Sequence, residues 1–254
     1  MLFTSCVDKG GSLVSDSPVI WITGGGSGMG RASAIAAAES GWRVAVSGRR
    51  PDAVEATVVA VRDAGGEALA VPVDVTDPAA LRDAHAAIEQ TWGPVAGLVL
   101  AAGLNAPHRA WADQSADEFA AIVDTNLVSV ARIVDLVLPG MRAAAAGNIV
   151  VVSSRSAWRF SPGAGVAYMS SKAALATLVA SLNDQENGNG VKACHLCPGD
   201  VDTDFLALRP TVPDADQRST MLSADDIARA VRFVLDSPHH VRIDELVITP
   251  LGQN

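Results

Sequence analysis

The sequence predicts one doubly wound α/β domain with a parallel sheet of about seven strands and helices on both faces. From residue 18 onward, short β-branched runs alternate with alanine-rich segments of helical length, the pattern of repeated strand–helix–strand units. Most strand runs are apolar at successive positions, as expected of strands buried on both faces. The chain has 254 residues, of which 49% are hydrophobic and 19% charged, so it can form a sizeable core.

Each predicted element is short and has recognisable ends. Strands are predicted at about 19–23, 43–47, 67–73, 97–101, 148–153, 191–196 and 245–248. Helices are predicted at about 28–41, 52–64, 77–91, 116–142, 166–187 and 223–236. Gly41, Gly65 and Gly147 follow three of these helices, where a left-handed residue is favoured. Ser115 and Ser223 precede acidic first turns, as helix N-caps do.

Two stretches fall outside this pattern. Residues 1–17 are expected to form a flexible N-terminal tail, which leaves 18–254 as the single folded domain. The tail has no basic start followed by a long apolar run, so it does not fit a secretory signal. The irregular segment 204–222, with two prolines, is predicted to be a mobile flap.

Composition excludes several classes of protein. The net charge of −9 disfavours binding to nucleic acid. The longest apolar run, Val95–Leu104, is far shorter than the ~20 residues of a membrane span. The three cysteines, Cys6, Cys194 and Cys197, are too few for a disulfide framework and indicate reduced thiols. We therefore expect a cytoplasmic protein without a membrane span or a nucleic-acid partner.

The first strand runs directly into a glycine-rich turn and an alanine-rich helix. Glycines allow a backbone to approach a phosphate closely, and the first amides of the helix donate to the anion. A turn of this kind also occurs as a tight connection without a ligand, and its place between strand and helix favours phosphate binding. The candidate cofactor-binding residues here are Thr23, Gly24, Gly26, Ser27, Gly28, Met29 and Gly30.

Tyr168 and Lys172 form the second candidate cluster. In a helix, residues four apart share a face, so the ammonium can lie beside the phenol. A free phenol titrates near ~10, and nearby positive charge lowers that pKa towards the range useful for proton transfer. Taken alone, such a pair is most often an exposed surface pair. However, Tyr168 is the only tyrosine in the chain.

These residues together resemble the short-chain dehydrogenase/reductase family. The turn at 23–30 is similar to the family's TGxxxGxG motif, and residues 168–172 match its YxxxK motif. Ser154 lies upstream at a strand end, and Asn126 lies in the preceding long helix. The segment 198–203 resembles the family's PGxVxT sequence.

The resemblance covers 18–254 and implies a Rossmann-type dinucleotide-binding catalytic domain. It implies hydride transfer between a nicotinamide cofactor and a carbonyl or secondary alcohol. Tyr168 is then the general acid/base, Lys172 lowers its pKa and holds the ribose, and Ser154 positions the substrate oxygen. Asn126 is expected to hold a water that connects Lys172 to solvent. Further cofactor contacts implied by the resemblance are Asp74, Val75, Ala102, Gly103, Pro198, Gly199, Val201 and Thr203, with Tyr168 and Lys172.

The chain departs from the family's pattern at two places. Where the family commonly has NNAG, residues 100–103 read LAAG, so the two asparagine side chains are absent. Ser154 lies one residue further upstream of Tyr168 than in most members. Ser153 is therefore a second candidate for the catalytic serine.

The end of the second strand bears on cofactor choice. An acidic residue there accepts hydrogen bonds from the ribose of NAD, whereas a basic residue favours the 2′-phosphate of NADP. Gly48 stands where NAD-using relatives tend to carry aspartate, and Arg49 follows it. The sequence thus predicts NADP(H), and NAD(H) remains open if Arg49 and Arg50 are only solvated loop residues.

The C-x-x-C motif at Cys194 and Cys197 is not interpreted as a redox pair or a zinc site. It lies on a predicted buried strand, where residues three apart point to opposite faces, and no second ligand pair has zinc spacing. No metal site is predicted, and His195 is interpreted as a core residue. Side chains that flank the expected site and are candidates for the substrate pocket are His108, Arg155, Trp158 and Phe160.

Three alternatives to an NADP(H)-dependent enzyme remain. They are an NAD-linked alcohol dehydrogenase of the same family, an epimerase or dehydratase with tightly held NAD, and a catalytically silent nucleotide-binding regulator. The resemblance also implies a homodimer or homotetramer that associates through the helices predicted at 116–142 and 166–187. The sequence does not indicate the substrate.

Overall fold

Seven parallel strands form one sheet in the order β3-β2-β1-β4-β5-β6-β7. The computed structural model describes residues 17–253. Residues 1–16 of the tail predicted at 1–17, including Cys6, lie outside the described residues. The strands are β1 Val19–Thr23, β2 Arg43–Val46, β3 Ala68–Ala70, β4 Val95–Leu100, β5 Gly147–Val152, β6 Val191–Pro198 and β7 Glu245–Ile248. Every neighbouring pair is parallel, which confirms the predicted fold class.

Helices connect the strands and cover both faces of the sheet. They are α1 Gly28–Glu39, α2 Pro51–Asp63, α3 Pro78–Trp92, α4 Ala116–Val123, α5 Ser129–Ala144, α6 Arg155–Trp158, α7 Val166–Glu186, α8 Ala215–Ser219 and α9 Ala224–Leu235. A π-helical turn, Asp124–Val128, joins α4 to α5. None of the helices in the described part of the chain is long and apolar enough to cross a bilayer.

Both faces of the sheet are packed with apolar side chains. In β1, Trp21 packs in the cluster that includes residues of α3, α5 and α7, whereas Ile20 and Ile22 pack in the cluster that includes residues of α1, α2 and α9. All three side chains are fully buried. Burying one such side chain stabilises the fold by ~1.5–3 kcal/mol relative to leaving it exposed. The continuous apolar runs thus reflect burial on two faces, as predicted.

The predicted bounds hold within a few residues except at the third strand. The sequence predicted it at 67–73, whereas β3 covers Ala68–Ala70. Beyond it, the amides of Val71 and Val73 still donate to Val46 O at 2.9 Å and to Gly48 O at 3.1 Å. The chain therefore stays beside β2 to the carboxyl end of that strand, although the regular ladder ends earlier.

One helix-end prediction was wrong. Gly41 and Gly65 have positive φ (86° and 85°) as predicted, but Gly147 does not. Ala145 takes the left-handed conformation instead, with φ of 50°, and Gly147 begins β5. Gly147 is needed for space, because a Cβ there would lie 2.5 Å from the sulfur of Met141.

The prediction of one continuous α-helix over 116–142 was also wrong, because the π-helical turn interrupts it. Such turns inside helices frequently occur at functional sites. This one places Asn126 at its centre, fully buried. The expected association of two chains through this region and α7 stays a prediction.

The segment 204–222 is folded onto the domain in this structure. It contains a short 3-10 turn, Asp204–Leu208, and helix α8. Arg209 pairs with Asp200, and Arg218 Nε lies 2.7 Å from Asp202 Oδ1. The mobility of this segment stays a prediction, whereas the structure places the segment against residues 200–202.

An ion pair joins the end of α5 to the end of α7. Arg142 donates to both carboxylate oxygens of Glu186, at 2.8 Å and 2.5 Å, and Asn189 donates at 2.8 Å. These hydrogen bonds, from Arg142 first and Asn189 second, lower the pKa of Glu186 to about 2. The carboxylate is therefore held in its charged form far into acid.

We expect Glu186→Gln to lower the melting temperature at neutral pH and to have less effect in acid. A carboxyl whose pKa is lower in the folded protein stabilises it fully above the unfolded value. That contribution is lost as the pH falls from about 4.5 towards about 2. Circular dichroism melts of both proteins across this range measure the difference.

Glu55→Gln is the matched control. Its carboxylate lies 3.9 Å from Arg62, with both side chains more than half exposed, so the change should have little effect at any pH. A difference between wild type and Glu186→Gln that stayed constant down to the most acidic melt would contradict the interpretation.

Candidate active site

The predicted site residues follow the carboxyl ends of neighbouring strands. Thr23 ends β1, residues 101–103 follow β4, Ser153 and Ser154 follow β5, and Pro198 ends β6. The strand order reverses between β1 and β4. In doubly wound sheets, ligands bind at this switch point, outside the carboxyl ends of the strands.

The glycine-rich turn lies tightly against the segment after β4. Gly24 has φ of +66°, and a Cβ there would lie 2.7 Å from the backbone of Ala101. A Cβ on Gly30 would lie 2.3 Å from Gly24 O. Both positions therefore require glycine, because backbone atoms occupy the space of a side chain.

Two other glycines of the turn lie closely against neighbouring side chains. A Cβ on Gly28 would lie 3.2 Å from Thr203 Cγ2, and one on Gly26 would lie 3.2 Å from Ala53. Ser27 N-caps α1 without a side-chain hydrogen bond, and the first turn of α1 has no acidic residue. These features fit a phosphate-bearing cofactor, because the glycines place no side chain over the backbone amides and the first turn of α1 carries no competing carboxylate.

The turn after β4 keeps its backbone contacts without the two asparagines. Ala101 N donates to Thr23 O at 3.3 Å, and Ala102 N lies 3.4 Å from Thr23 Oγ1. Gly103 follows, with its Cβ position 3.9 Å from Lys172 Nζ. The LAAG sequence therefore still brings this turn between the glycine-rich turn and Lys172.

Tyr168 and Lys172 lie on one side of α7, as their spacing predicted. Lys172 Nζ lies 5.9 Å from the centroid of the Tyr168 ring and donates to Val152 O at 2.8 Å. Burial lowers the pKa of Lys172 to about 8. Burial also raises the pKa of Tyr168, while a hydrogen bond with Ser154 acts in the opposite direction. Nearby positive charge is thus needed for proton transfer at neutral pH.

Ser154 and Ser153 differ in what their hydroxyls contact. Ser154 caps the short helix α6 by accepting from Ser156 N at 3.1 Å, and it also bonds to the Tyr168 phenol. Ser153 is buried and donates to Lys172 O at 3.2 Å. Ser154 therefore faces the phenol, whereas Ser153 supports the backbone of α7.

Asn126 links three parts of the site. Its Oδ1 accepts from Leu104 N at 2.7 Å, and its amide donates to Leu104 O at 2.9 Å and to Ser171 Oγ at 3.0 Å. Both amide hydrogens are therefore used. The side chain fixes the segment after β4 against α7, next to Tyr168 and Lys172.

A cavity of about 440 Å³ opens beside Tyr168 and Ser154. Phe205, in the segment predicted as a flap, contributes its ring 6.1 Å from the Tyr168 ring. Of the flanking candidates, Phe160 lines an adjacent, more apolar groove instead. His108 is exposed and lies 3.0 Å from Glu118 Oε1, which raises the pKa of His108. Among the described residues that line the cavity, none is His108, Arg155 or Trp158.

The chain matches the short chain dehydrogenase family over residues 18–211. The protein belongs to this family. The family consists of oxidoreductases, and the match includes both the glycine-rich turn and the Tyr168–Lys172 pair.

Relatives of this short-chain dehydrogenase carry oxidoreductase names. The glycine betaine reductase of Emericella nidulans is 30% identical over 235 residues, covering 90% of this chain and 18% of that longer protein. An uncharacterized oxidoreductase of Staphylococcus aureus is 29% identical, covering 91% of this chain and 96% of that one.

Two solved structures resemble this short-chain dehydrogenase over nearly its full length. An alcohol dehydrogenase from Thermococcus sibiricus, complexed with 5-hydroxy-NADP, has a TM-score of 0.83 and 28% identity, covering 94% of this chain and 99% of that one. An actinorhodin polyketide ketoreductase with NADPH has a TM-score of 0.85 and 26% identity, covering 92% and 96%.

The sequence analysis missed two arginines that line the dehydrogenase's cavity. Arg109 and Arg209 both lie in irregular segments, and the positive charge of each lowers the pKa of Tyr168, whereas Asp200 raises it. No motif marks either arginine, and only the fold brings them together. The one available signal was that Arg209 lies in the segment predicted to be a mobile flap.

The residues predicted to bind the adenosine half of the cofactor lie at and near the carboxyl end of β2. Arg49 is exposed there and its charge acts on Asp74, whose pKa is lowered first by the backbone amide of Thr76. Asp74 Oδ1 accepts from Thr76 N at 3.0 Å and from Thr76 Oγ1 at 2.8 Å. A Cβ on Gly48 would lie 3.2 Å from Val54 Cγ2. An aspartate at Gly48 would therefore be crowded.

The remaining predicted contacts lie along the β6 end. Gly199 N donates to Ile248 O at 2.6 Å, and Val201 is buried and bridges to Leu222. Pro198, Gly199, Val201 and Thr203 all line the cavity. The PGxVxT segment is thus brought beside the glycine-rich turn, while Val75 lies buried after β3.

Cys194 and Cys197 are free and buried, as the sequence analysis expected. Cys197, His195 and Glu245 place their ligand atoms within 4.8 Å of one another. Burial raises the pKa of both thiols to about 12. The Cys197 sulfur lies 3.4 Å and 3.7 Å from the two nitrogens of His195, which indicates contact with the ring rather than an in-plane bond. His195 Nδ1 already has a partner in Glu245 at 3.0 Å.

Proposed function

We propose that this short-chain dehydrogenase transfers a hydride between NADP(H) and a carbonyl or secondary alcohol of a small molecule. The observation that carries the proposal is the Tyr168 phenol, bonded to Ser154 and open to the cavity, with Lys172 beneath it. Cofactor and substrate would meet there, because the glycine-rich turn and the cavity lie at the same edge of the sheet.

A bound nicotinamide dinucleotide supplies or accepts the hydride. In the reducing direction, Ser154 donates a hydrogen bond to the carbonyl oxygen and orients it. Tyr168 then gives its phenolic proton to that oxygen as negative charge develops. In the oxidising direction, the phenolate takes the hydroxyl proton, so the proton count balances in both directions.

Lys172 and Asn126 support the phenol. The Lys172 ammonium favours the phenolate by its charge. Its hydrogen bond to Val152 O holds the ammonium beside the Tyr168 ring, 5.9 Å from the ring centroid. It is also the residue that would hold the ribose. For Asn126 we propose a positioning role, because both its amide hydrogens are donated to the protein and only one lone pair of Oδ1 remains for a water.

The proposal is tested by following the loss of reduced cofactor with a panel of ketones and aldehydes. Turnover with any member supports it. A nucleotide-binding regulator would instead bind NADPH and turn over none of the panel, and stoichiometric NAD retained on purification would favour an epimerase or dehydratase.

We further propose NADP(H) as the preferred cofactor, held at its 2′-phosphate by Arg49. Arg49 is exposed at the carboxyl end of β2, and Gly48 leaves no carboxylate there. The two solved relatives described above were determined with NADPH or an NADP derivative. NAD(H) is the alternative.

Arg49→Ala should weaken NADPH binding by about tenfold or more, because a charge-assisted bond to phosphate is lost. Binding of NADH should change little, which makes NADH the internal control. Titrations that follow quenching of tryptophan fluorescence measure both affinities. Arg82→Ala, which removes an exposed arginine from α3, should leave both unchanged. Equal losses for NADPH and NADH, or preferential binding of NADH by the wild type, would contradict the assignment.

A further inference from the structure

The lining of the cavity carries charged side chains besides the residues assigned to hydride and proton transfer. Among the described residues that line it, Arg109, Arg209 and Asp200 are the charged ones. Two guanidinium groups thus face one carboxylate, next to the phenol that would deliver the proton. The cavity therefore carries a net positive charge when Tyr168 is neutral.

Arg109 is fixed in place without an acidic partner. It donates to three backbone carbonyls, at 2.9 Å to Ala106 O, 3.0 Å to Gly163 O and 2.8 Å to Leu208 O. It is half-buried and forms no ion pair among residues 17–253. Guanidinium has five N–H donors, so part of its hydrogen-bonding capacity stays available, and its orientation is already fixed by the protein.

Arg209 is the second cation of the cavity and pairs with Asp200. Its charge lies close enough to Arg109 to lower the pKa of Arg109, after the larger effect of burial. Two like charges held near each other in a partly desolvated cavity are unfavourable. An anion bound between them would relieve this repulsion and complete the charge balance.

We propose that the substrate of this site carries an anionic group, a carboxylate or a phosphate, which Arg109 binds with the help of Arg209 beside the reacting carbonyl. This inference rests on the proposed function for the reacting carbonyl, and it adds the substrate class. Guanidinium suits both anions because it forms paired, charge-assisted hydrogen bonds with their oxygens. The fixed geometry of Arg109 also means that little side-chain entropy is lost on binding.

The test compares keto acids with their own neutral esters. The probes are 4-oxopentanoate beside its methyl ester and 4-oxopentylphosphonate beside its neutral dimethyl ester, with NADPH as the reductant. For each pair, the ratio of kcat/KM for the acid to that for the ester is measured. This ratio cancels any effect that a variant has on the proton-transfer step itself. We expect the wild type to favour at least one acid by about tenfold or more.

Variants separate charge from structure. Arg109→Gln should reduce the acid-to-ester ratio by about tenfold, while Arg109→Lys should restore part of it because the charge returns. Arg109→Gln also releases three carbonyls, so Arg209→Gln provides an independent variant. It leaves Asp200 without its partner and should lower the ratio as well. Arg82→Gln is the matched control on an exposed part of α3 and should leave the ratio unchanged.

The outcomes distinguish this inference from the proposed function. Reduction of the esters at least as efficiently as both acids would overturn the inference and leave the proposed function standing. If no carbonyl is reduced, the proposed function fails, and calorimetric titration with the same acids and esters decides on the anion site. Binding of an acid that is weakened in Arg109→Gln would support the site, and equal binding of acid and ester would overturn it.

Discussion

Replacing Tyr168 with phenylalanine should reduce kcat by about 10²- to 10⁴-fold, the range expected when a general acid/base is removed. Only the hydroxyl is lost, so the ring can keep its packing against Phe205, 6.1 Å away between centroids. Lys172 keeps its bond to Val152 O. Binding of NADPH should therefore stay close to that of the wild type. Initial rates on one reduced carbonyl and a fluorescence titration measure the two effects.

Ser181→Ala is the control for this variant. It also removes one hydroxyl from α7, at an exposed position where Ser181 Oγ contacts only Gln185 in the described structure. It should leave both rate and affinity unchanged. Undiminished turnover in Tyr168→Phe would show that another group transfers the proton.

Gly30→Ala should have the second large effect, because it changes the glycine-rich turn at 23–30 that we propose binds the cofactor. The added Cβ would lie 2.3 Å from Gly24 O, a backbone atom that cannot rotate away as a flexible side chain does. Overpacking of this kind typically costs ~1–3 kcal/mol, sometimes more. We expect a lower melting temperature and a loss of NADPH affinity of about tenfold or more. Thermal melts with and without NADPH measure both.

Gly188→Ala is the matched substitution. A Cβ at Gly188 meets nothing within 4 Å, and its φ is not positive. It should leave the melting temperature and the stabilisation by NADPH nearly as in the wild type. If Gly30→Ala bound NADPH as tightly as this control, the close contact between Gly30 and Gly24 would not be needed for cofactor binding.

The fold was predictable because burial leaves a local signature. In β1, the four residues from Val19 to Ile22 are apolar in succession, because Ile20 and Trp21 pack against helices on opposite faces of the sheet. Helix starts were also predictable, because an N-cap depends only on residues that are close in sequence. Ser115 and Ser223 are the N-caps that the sequence predicted, and each also forms a reciprocal capping box with the third helical residue.

The site was predictable where spacing sets geometry. Tyr168 and Lys172 needed only a helix to share a face, and the glycines of the turn needed only their places between β1 and α1. The choice between Ser154 and Ser153 was not predictable, because it depends on which hydroxyl the strand end turns towards the phenol. Their contacts with Ser156 N and Lys172 O separate the two roles.

Other features depend on contacts between distant segments. Arg109 and Arg209 come from separate loops, and no local pattern brings them to one cavity. The π-helical turn at Asn126 gives no sequence signal that distinguishes it from an α-helix. The left-handed residue before β5 is Ala145 instead of Gly147, because α5 ends at Ala144 and Gly147 already belongs to β5.

Transfer of deuterium tests the central claim most directly. The protein is incubated with NADPH labelled at the transferring position and with a ketone or keto acid, and the alcohol is analysed by mass spectrometry. The account predicts one deuterium on the former carbonyl carbon with the wild type, and a loss of labelled product with Tyr168→Phe in proportion to its rate. Bound NADPH with no labelled alcohol from any carbonyl tested, or equal labelling by Tyr168→Phe, would contradict it.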